Sequence, residues 1–393
     1  MSELRPYQKM ASDAAFQAFR KGVWNGLVIL PQGAGKSHVI ADVASRLDSP
    51  LLVLCPTREI VLQDHEKIRG AGMFDVGIYS ASIGDKNIRK ITIATIGSVY
   101  NRMEDFRLFR YVIVDEAHNV APDGMYYSFI YDRTDRVVVG LTATPYRYNA
   151  NQYGCCLTFL TRTTGRIFDK VLHVTQVGSL VRDGFLVAPR YFDLSAMCAV
   201  DLSRVRLTAS RQDYEEESLR EELVRCGYQR NLLSCVMNVM RQRECNGILV
   251  FTRFVSDAED LVRRFGAYGV KAAAVSGDTP RRDRNKVLEG FKNGRIKVVA
   301  NASVLVEGFN YPALDTIVLA HPTRSLRRYC QEVGRVMRPY KDKEAWVVDL
   351  VGTSTMFGRV EDMVVSNDGE GNMWKVVSKG RPLTGIDSIL SEY

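Results

Sequence analysis

Short apolar runs alternate along this chain with segments whose apolar residues recur every three or four positions, the pattern of buried strands followed by amphipathic helices. Gly26-Leu27-Val28-Ile29-Leu30 is short, apolar and β-branched, which predicts a buried strand, and Val39, Ile40, Val43 and Leu47 then recur at helical spacing. Pro50 to Cys55 and Ile91 to Thr95 repeat the strand pattern, the first followed by a predicted helix through Ile60, Val61 and Ile68. Tyr111 to Val114 and Val137 to Leu141 add two more strands. The second half renews the alternation. A helix carries Leu232, Leu233, Val236, Met237 and Met240; Gly247 to Phe251 is a strand; Ala258, Leu261, Val262 and Phe265 mark another helix. Strands at Val270 to Val275 and Ile296 to Ala300 precede a helix from Ser325 to Val333. Apolar strands separated by helices predict parallel, doubly wound α/β sheets. At 393 residues the chain is too long for one ordinary core and suits two.

Composition narrows the picture a little. Hydrophobic content of 46% predicts a globular chain throughout, and the formal charge of +8 suits a partner that carries phosphates. Eight cysteines include no C-x-x-C pair, so neither a zinc module nor a disulfide framework is expected, and a reducing, cytoplasmic setting is. No apolar run approaches the length of a membrane span.

The chemistry concentrates where predicted strands end. Pro31-Gln32-Gly33-Ala34-Gly35-Lys36-Ser37 joins a strand to a helix, as a phosphate-binding loop does. Glycines let backbone N–H groups curl around an anion, the helix start adds positive potential, Lys36 reaches the outer phosphates and Ser37 would hold Mg²⁺. Upstream, in Leu4-Arg5-Pro6-Tyr7-Gln8, the Gln8 amide offers the paired donor and acceptor that suit an adenine edge. Thr57, Arg58, Thr95 and Ser98 sit at carboxyl ends of strands and supply the groups that grip a sugar-phosphate backbone. Asp115 and Glu116 follow an apolar strand directly, and paired carboxylates there are costly to bury unless a cation and a water need them. Asp115 is read as a Mg²⁺ ligand and Glu116 as the group that orients or deprotonates the attacking water. Thr142 and Thr144, in Thr142-Ala143-Thr144-Pro145, could sense the nucleotide. Later, Ser303 and Gly308 are placed to meet nucleic acid and nucleotide. Arg335 and Arg338, three apart, are read as sharing a helical face aimed across a cleft at the γ-phosphate.

The phosphate loop, P-T-R-E at 56–59, D-E-A-H at 115–118 and T-A-T-P at 142–145 occur in the order that resembles the first domain of a superfamily-two helicase. Q-E-V-G-R at 331–335 extends the resemblance to about residue 352. The overall pattern is most similar to RadD-type bacterial repair helicases and related phage helicases. That resemblance implies two tandem RecA-like domains, over 1–172 and 173–352, with ATP and Mg²⁺ between them. It implies adenine contact near Arg5 and Gln8, interdomain coupling through His118 and Gln331, and arginine fingers at Arg335 and Arg338. It also carries nucleic-acid contact to Thr252 and Arg253. Three departures stand out: Gln32 where threonine is usual, Asn310 where aspartate meets the ribose, and no cysteine-rich zinc segment.

Residues 353–393 form an extension in which Met363-Val364-Val365 and Trp374-Lys375-Val376-Val377 flank a polar turn, predicting a β-hairpin that covers the second domain or docks a partner. The functional expectation is an ATP-dependent helicase or translocase on single-stranded or forked DNA. The alternatives are a duplex translocase of a restriction or defence complex, and an RNA helicase.

Overall fold

The computed structural model describes residues 3–22, 25–151, 154–302, 311–369, 371 and 373–385. Two sheets organise it. The first has eight strands in the order Lys170–Val174, Gly26–Ile29, Val137–Thr142, Tyr111–Asp115, Leu51–Cys55, Ile91–Thr95, Val76–Ser80, Asp85–Lys86. Every adjacent pair is parallel except the last, so the expected doubly wound architecture is present. Leu27, Val28, Ile29 and Leu30 are at most 2% exposed, each burial contributing about 1.5–3 kcal/mol, which is why this run sits between two strands rather than at an edge.

The second sheet has six parallel strands in the order Pro189–Asp193, Ala345–Asp349, Thr316–Ala320, Ile248–Thr252, Val298–Ala302, Ala272–Val275. Strand Lys170–Val174 pairs with Gly26–Ile29 in the first sheet. It straddles the expected 172/173 division, so the division moves into 175–188, between the two sheets. Residues 195–227 add short helices before the long helix Tyr228–Gln242. On the acidic helix Glu216–Arg225, Arg225 and Glu222 form a bridge at 2.6 Å, while Arg220 lies over the Phe254 ring.

The C-terminal extension is a three-stranded antiparallel sheet, Met363–Asn367, Trp374–Ser378 and Arg381–Pro382. It meets both halves. The Trp374 ring stacks on Phe159 at 6.2 Å, in the hairpin Tyr146–Asn151/Gly154–Phe159 of the first half. Met363 lies 3.7 Å from Cys330 Sγ on the second-half helix Leu326–Val333. Gln176, between the sheets, clasps the Val365 backbone, donating to its carbonyl at 2.7 Å and accepting from its N–H at 3.0 Å.

Among the described residues, no helix is long and apolar enough to cross a membrane, and no cluster of three or more His, Cys, Asp or Glu could cage a metal. Cys55, Cys156, Cys198, Cys226, Cys235, Cys245 and Cys330 are free.

Gln176→Ala strands the Val365 amide and carbonyl, at a cost of about 1–3 kcal/mol. Hydrogen exchange at the Val365 amide should accelerate accordingly, while exchange in the strand Leu51–Cys55 stays unchanged.

Candidate active site

The loop after strand Gly26–Ile29 turns on two glycines. Gly33 and Gly35 have φ of 80° and 85°, the left-handed region that favours glycine, and Gly35 is the N-cap of helix Lys36–Arg46. A Cβ at Gly35 would lie 2.5 Å from the Gln8 amide nitrogen. That closeness reflects what Gln8 does. Its Nε2 donates to the Ala34 carbonyl at 2.8 Å, its Oε1 accepts from the Arg5 backbone N–H at 3.0 Å, and the Tyr7 hydroxyl donates a second bond to the Ala34 carbonyl at 3.0 Å. The amide that was read as an adenine reader therefore ties the start of the first helix, Pro6–Lys21, to the loop. Arg5 lies over the Phe185 ring at 5.0 Å.

Lys36 Nζ and Glu116 Oε1 form a bridge at 3.0 Å, both side chains about one-tenth exposed. Burial alone lowers the lysine pKa, but the Glu116 and Asp115 charges outweigh it and hold Lys36 above its ordinary value. Glu116 occupies a left-handed backbone conformation, φ 50°, uncommon for a residue with a side chain. Asp115 is pushed well above the carboxylate range by burial first, then by Asp64 and Glu116. Asp64, fully buried on helix Arg58–Gly70, is raised to about 6, again by burial first. Neither Asp64 nor its neighbour Gln63, which donates to Ser37 Oγ at 2.8 Å, was picked out from the sequence. The signal lay in helical register: both follow the P-T-R-E turn on the face toward the loop.

His118 ties this group to the next strand. Its Nδ1 lies 3.4 Å from Glu116 Oε2, 3.0 Å from Thr142 Oγ1 and 3.2 Å from Thr144 Oγ1, and the Thr144 N–H donates to Thr142 Oγ1. The three coupling residues are one buried cluster.

The second half closes over the loop. Helix Leu326–Val333 ends before the arginines, so Arg335 and Arg338 leave it through a turn rather than along one helical face. This corrects the spacing argument. Arg338 lines the loop cavity, and Arg335, on the same turn, is 2% exposed. A Cβ on Gly334 would stand 2.6 Å from Gln32, and one on Gly33 would stand 3.0 Å from Arg338 Cγ. The cavity, about 300 Å³, is lined by Gly33, Gly35, Lys36, Ser37, Gln63, Asp115, Glu116, Gln331 and Arg338 among others.

The candidate nucleic-acid residues fall into two groups. In the first half, Thr57 caps helix Arg58–Gly70, Arg58 donates to the Ser82 carbonyl at 2.6 Å, and Thr95 and Ser98 share a hydroxyl network with Ser80. Ser80 and Ser82, bonded at 3.0 Å, complete this edge and lay outside every motif. In the second half both residues make contacts within the chain. Thr252 is wholly buried, its hydroxyl within reach of the Phe254 and Asn301 carbonyls, and Arg253 is bound to Asp213 at 2.8 Å. Ser303, Gly308 and Asn310 lie outside the described residues.

Comparison with known proteins agrees with this geometry. Residues 1–147 match the family described as type III restriction enzyme, res subunit, and residues 230–340 match the helicase conserved C-terminal domain. A 51.5 kDa protein of a Lactococcus phage is 26% identical over 325 residues, covering 82% of this chain and 64% of its own. The DNA 3'-5' translocase XPB2 of Sulfurisphaera tokodaii is 26% identical over 376 residues, covering 90% and 82%. In fold, the chain is similar to the ATP-dependent type ISP restriction-modification enzyme LlaBIII bound to DNA, with a TM-score of 0.64 at 17% identity, over 89% of this chain and 28% of that one. The chain thus spans less than two thirds of the phage protein and of LlaBIII. One match thus lies on each side of the cleft, the first half similar to restriction-enzyme res subunits and the second to the helicase C-terminal domain.

Proposed function

We propose that this chain is a nucleic-acid-dependent ATPase that uses ATP hydrolysis to move along DNA. One observation carries the reading: Lys36 and Glu116 from the first half and Arg338 from the second line a single cavity of about 300 Å³. Neither half alone supplies the loop, the carboxylates and the arginine together.

The phosphates of ATP fit the curled loop, and Lys36, kept charged by its neighbours, pairs with the outer ones. Ser37 and Asp115 are hard oxygen donors opening on the same cavity, a set that suits Mg²⁺, which takes few protein ligands and keeps waters and phosphate oxygens. When bound, Mg²⁺ would neutralise charge on the phosphates. Entry of the triphosphate competes for Lys36 and so releases Glu116 from the 3.0 Å bridge. The freed carboxylate orients the attacking water and accepts its proton. Arg338 stabilises charge gathering on the γ-phosphoryl group, and Arg335 holds the turn that presents Arg338. His118, Thr142 and Thr144 pass the state of Glu116 to the hairpin that begins at Tyr146. The hydroxyl edge of Arg58, Ser80, Thr95 and Ser98 contacts a sugar-phosphate backbone without reading bases.

DNA is favoured over RNA by the chain's similarity to a DNA translocase and to a DNA-bound restriction enzyme. The D-E-A-H residues and the RadD-like pattern support a role in repair, recombination or replication, and free cysteines suit the cytoplasm. The match to a restriction res subunit favours a second reading, a duplex translocase that never separates strands. Unwinding of a forked duplex beside displacement of a triplex strand separates the two.

Glu116→Gln should bind ATP as the native protein does but turn it over at least ~100-fold more slowly, general-base catalysis contributing ~10²–10⁴-fold. Single-turnover hydrolysis beside equilibrium nucleotide binding checks this; unchanged turnover removes the assignment. Arg338→Ala should lower kcat by ~10³-fold or more with little effect on ATP binding. Arg335→Ala should also lower the melting temperature, because its side chain is buried.

A further inference from the structure

The cavity receives Arg338 from one short piece of the second half, helix Leu326–Val333 and the turn after it. A helix of eight residues is too short to hold itself in water, so its ends depend on bonds from outside. The start is capped, with Ser325 Oγ accepting from the Arg328 N–H at 3.3 Å. The end hangs on Glu332. This glutamate is 1% exposed, and its carbonyl accepts from the Arg335 N–H at 3.2 Å, the bond that starts the turn toward Arg338.

The Glu332 carboxylate meets two partners. His321 Nε2 lies 2.9 Å from Oε1 and 3.0 Å from Oε2, and Arg328 Nε donates to Oε1 at 2.9 Å. Arg328 sits on the same helix, one turn earlier. His321 instead directly follows Thr316–Ala320, an interior strand of the second sheet, and is 1% exposed. Of the two bonds, the one from His321 therefore ties the helix end to the sheet. Burial pushes the Glu332 carboxyl up, yet His321 and Arg328 outweigh it and hold it below its ordinary value. Burial first, then the Arg328 charge, hold His321 below its own. His321 Nδ1 is buried without a hydrogen-bond partner among the described residues, so the proton of the neutral ring belongs on Nε2, facing the carboxylate.

We infer that His321 is a positioning residue for hydrolysis: through Glu332 it fixes the helix end to the second sheet and so sets where Arg338 stands in the cavity. The inference rests on the reading of Arg338 as the group that stabilises charge on the γ-phosphoryl group. His321 does not line the cavity; it acts through Glu332.

The test is a double-mutant cycle on the full chain with single-stranded DNA present. Single-turnover ATP hydrolysis is read beside binding of a fluorescent non-hydrolysable ATP analogue, at a temperature where circular dichroism shows each variant folded. His321→Leu should slow hydrolysis ~10- to 100-fold, the scale of a misplacement near 1 Å, and leave analogue affinity unchanged. His321→Gln, whose amide N–H can stand where Nε2–H stood, should keep the native rate. In an Arg338→Ala background His321→Leu should cost nothing further, because the group it positions is gone. A purely structural role would lower hydrolysis and analogue binding together, and its cost would add in full to that of Arg338→Ala. Either result overturns the inference, as does a native rate in His321→Leu or an equal loss in His321→Gln. If His321→Leu does not fold, His321→Asn, whose shorter amide stops short of Glu332, takes its place under the same outcomes. Should Arg338→Ala alone leave hydrolysis unchanged, the reading of Arg338 falls, and this inference with it.

Discussion

Everything in the cleft depends on how closely two backbones approach. Gly334, at the end of the second-half helix, stands against Gln32 of the phosphate loop with no room for a methyl group between them. That contact sets the separation of the two sheets, and through it the distance from Arg338 to Lys36. A larger residue at 334 would push the arginine out of the cavity without touching any charged group. Glycine here answers a need for proximity rather than conformation: its φ lies in the ordinary helical range, unlike that of Gly33 or Gly35.

Within the first half, the Lys36–Glu116 bridge shows why strong charges can be buried beside one another. Burial first, and then the Glu116 charge, raise the cost of ionising Asp64 and Asp115, and Lys36 offsets part of it. Such a cluster is balanced when an additional positive charge shares it. The strained backbone at Glu116 has the same character, since a left-handed conformation holds the carboxylate toward Lys36 and His118 rather than along the strand axis.

The repeating strand and helix pattern was legible because buried parallel strands read as continuous apolar runs, and the first-half motifs were legible because they occupy strand ends. Val28, Val53 and Ile113 lie in central strands where period alone identifies them. Less of the rest could be read. Strands Val76–Ser80 and Lys170–Val174 mix polar residues with apolar ones, as strands at or near an edge do, so no single period marked them. Asp64 and Gln63 follow no motif of their own, and their importance depends on which face of a helix meets Ser37. Arg335 and Arg338 misled for the opposite reason: a spacing of three fits a helix, but the helix had already ended at Val333. Thr252 and Arg253 occupy a strand end by sequence, yet Asp213, some forty residues earlier, takes the guanidinium. Long-range pairing of that kind leaves no local trace.

The C-terminal sheet bears on how this cleft can move. It stacks Trp374 on the first-half hairpin, sets Met363 beside Cys330 on the helix that precedes the arginines, and is clasped at Val365 by Gln176 between the two sheets. Tyr146 and Tyr148 of the same hairpin also reach Cys330 Sγ and the Arg324 carbonyl directly, at 3.5 and 2.5 Å. A motion that separates the halves must break one set of these contacts, and the sheet then travels with whichever side keeps it. Gln176 offers two backbone hydrogen bonds on the connecting segment, whereas the Trp374 and Met363 contacts are single and non-directional. The clasp at Gln176 thus ties the sheet to the connecting segment more directionally than either outer contact ties it to a half. In the proposed cycle, nucleotide in the cavity favours the arrangement in which all three contacts coexist, because that arrangement alone brings Arg338 to Lys36.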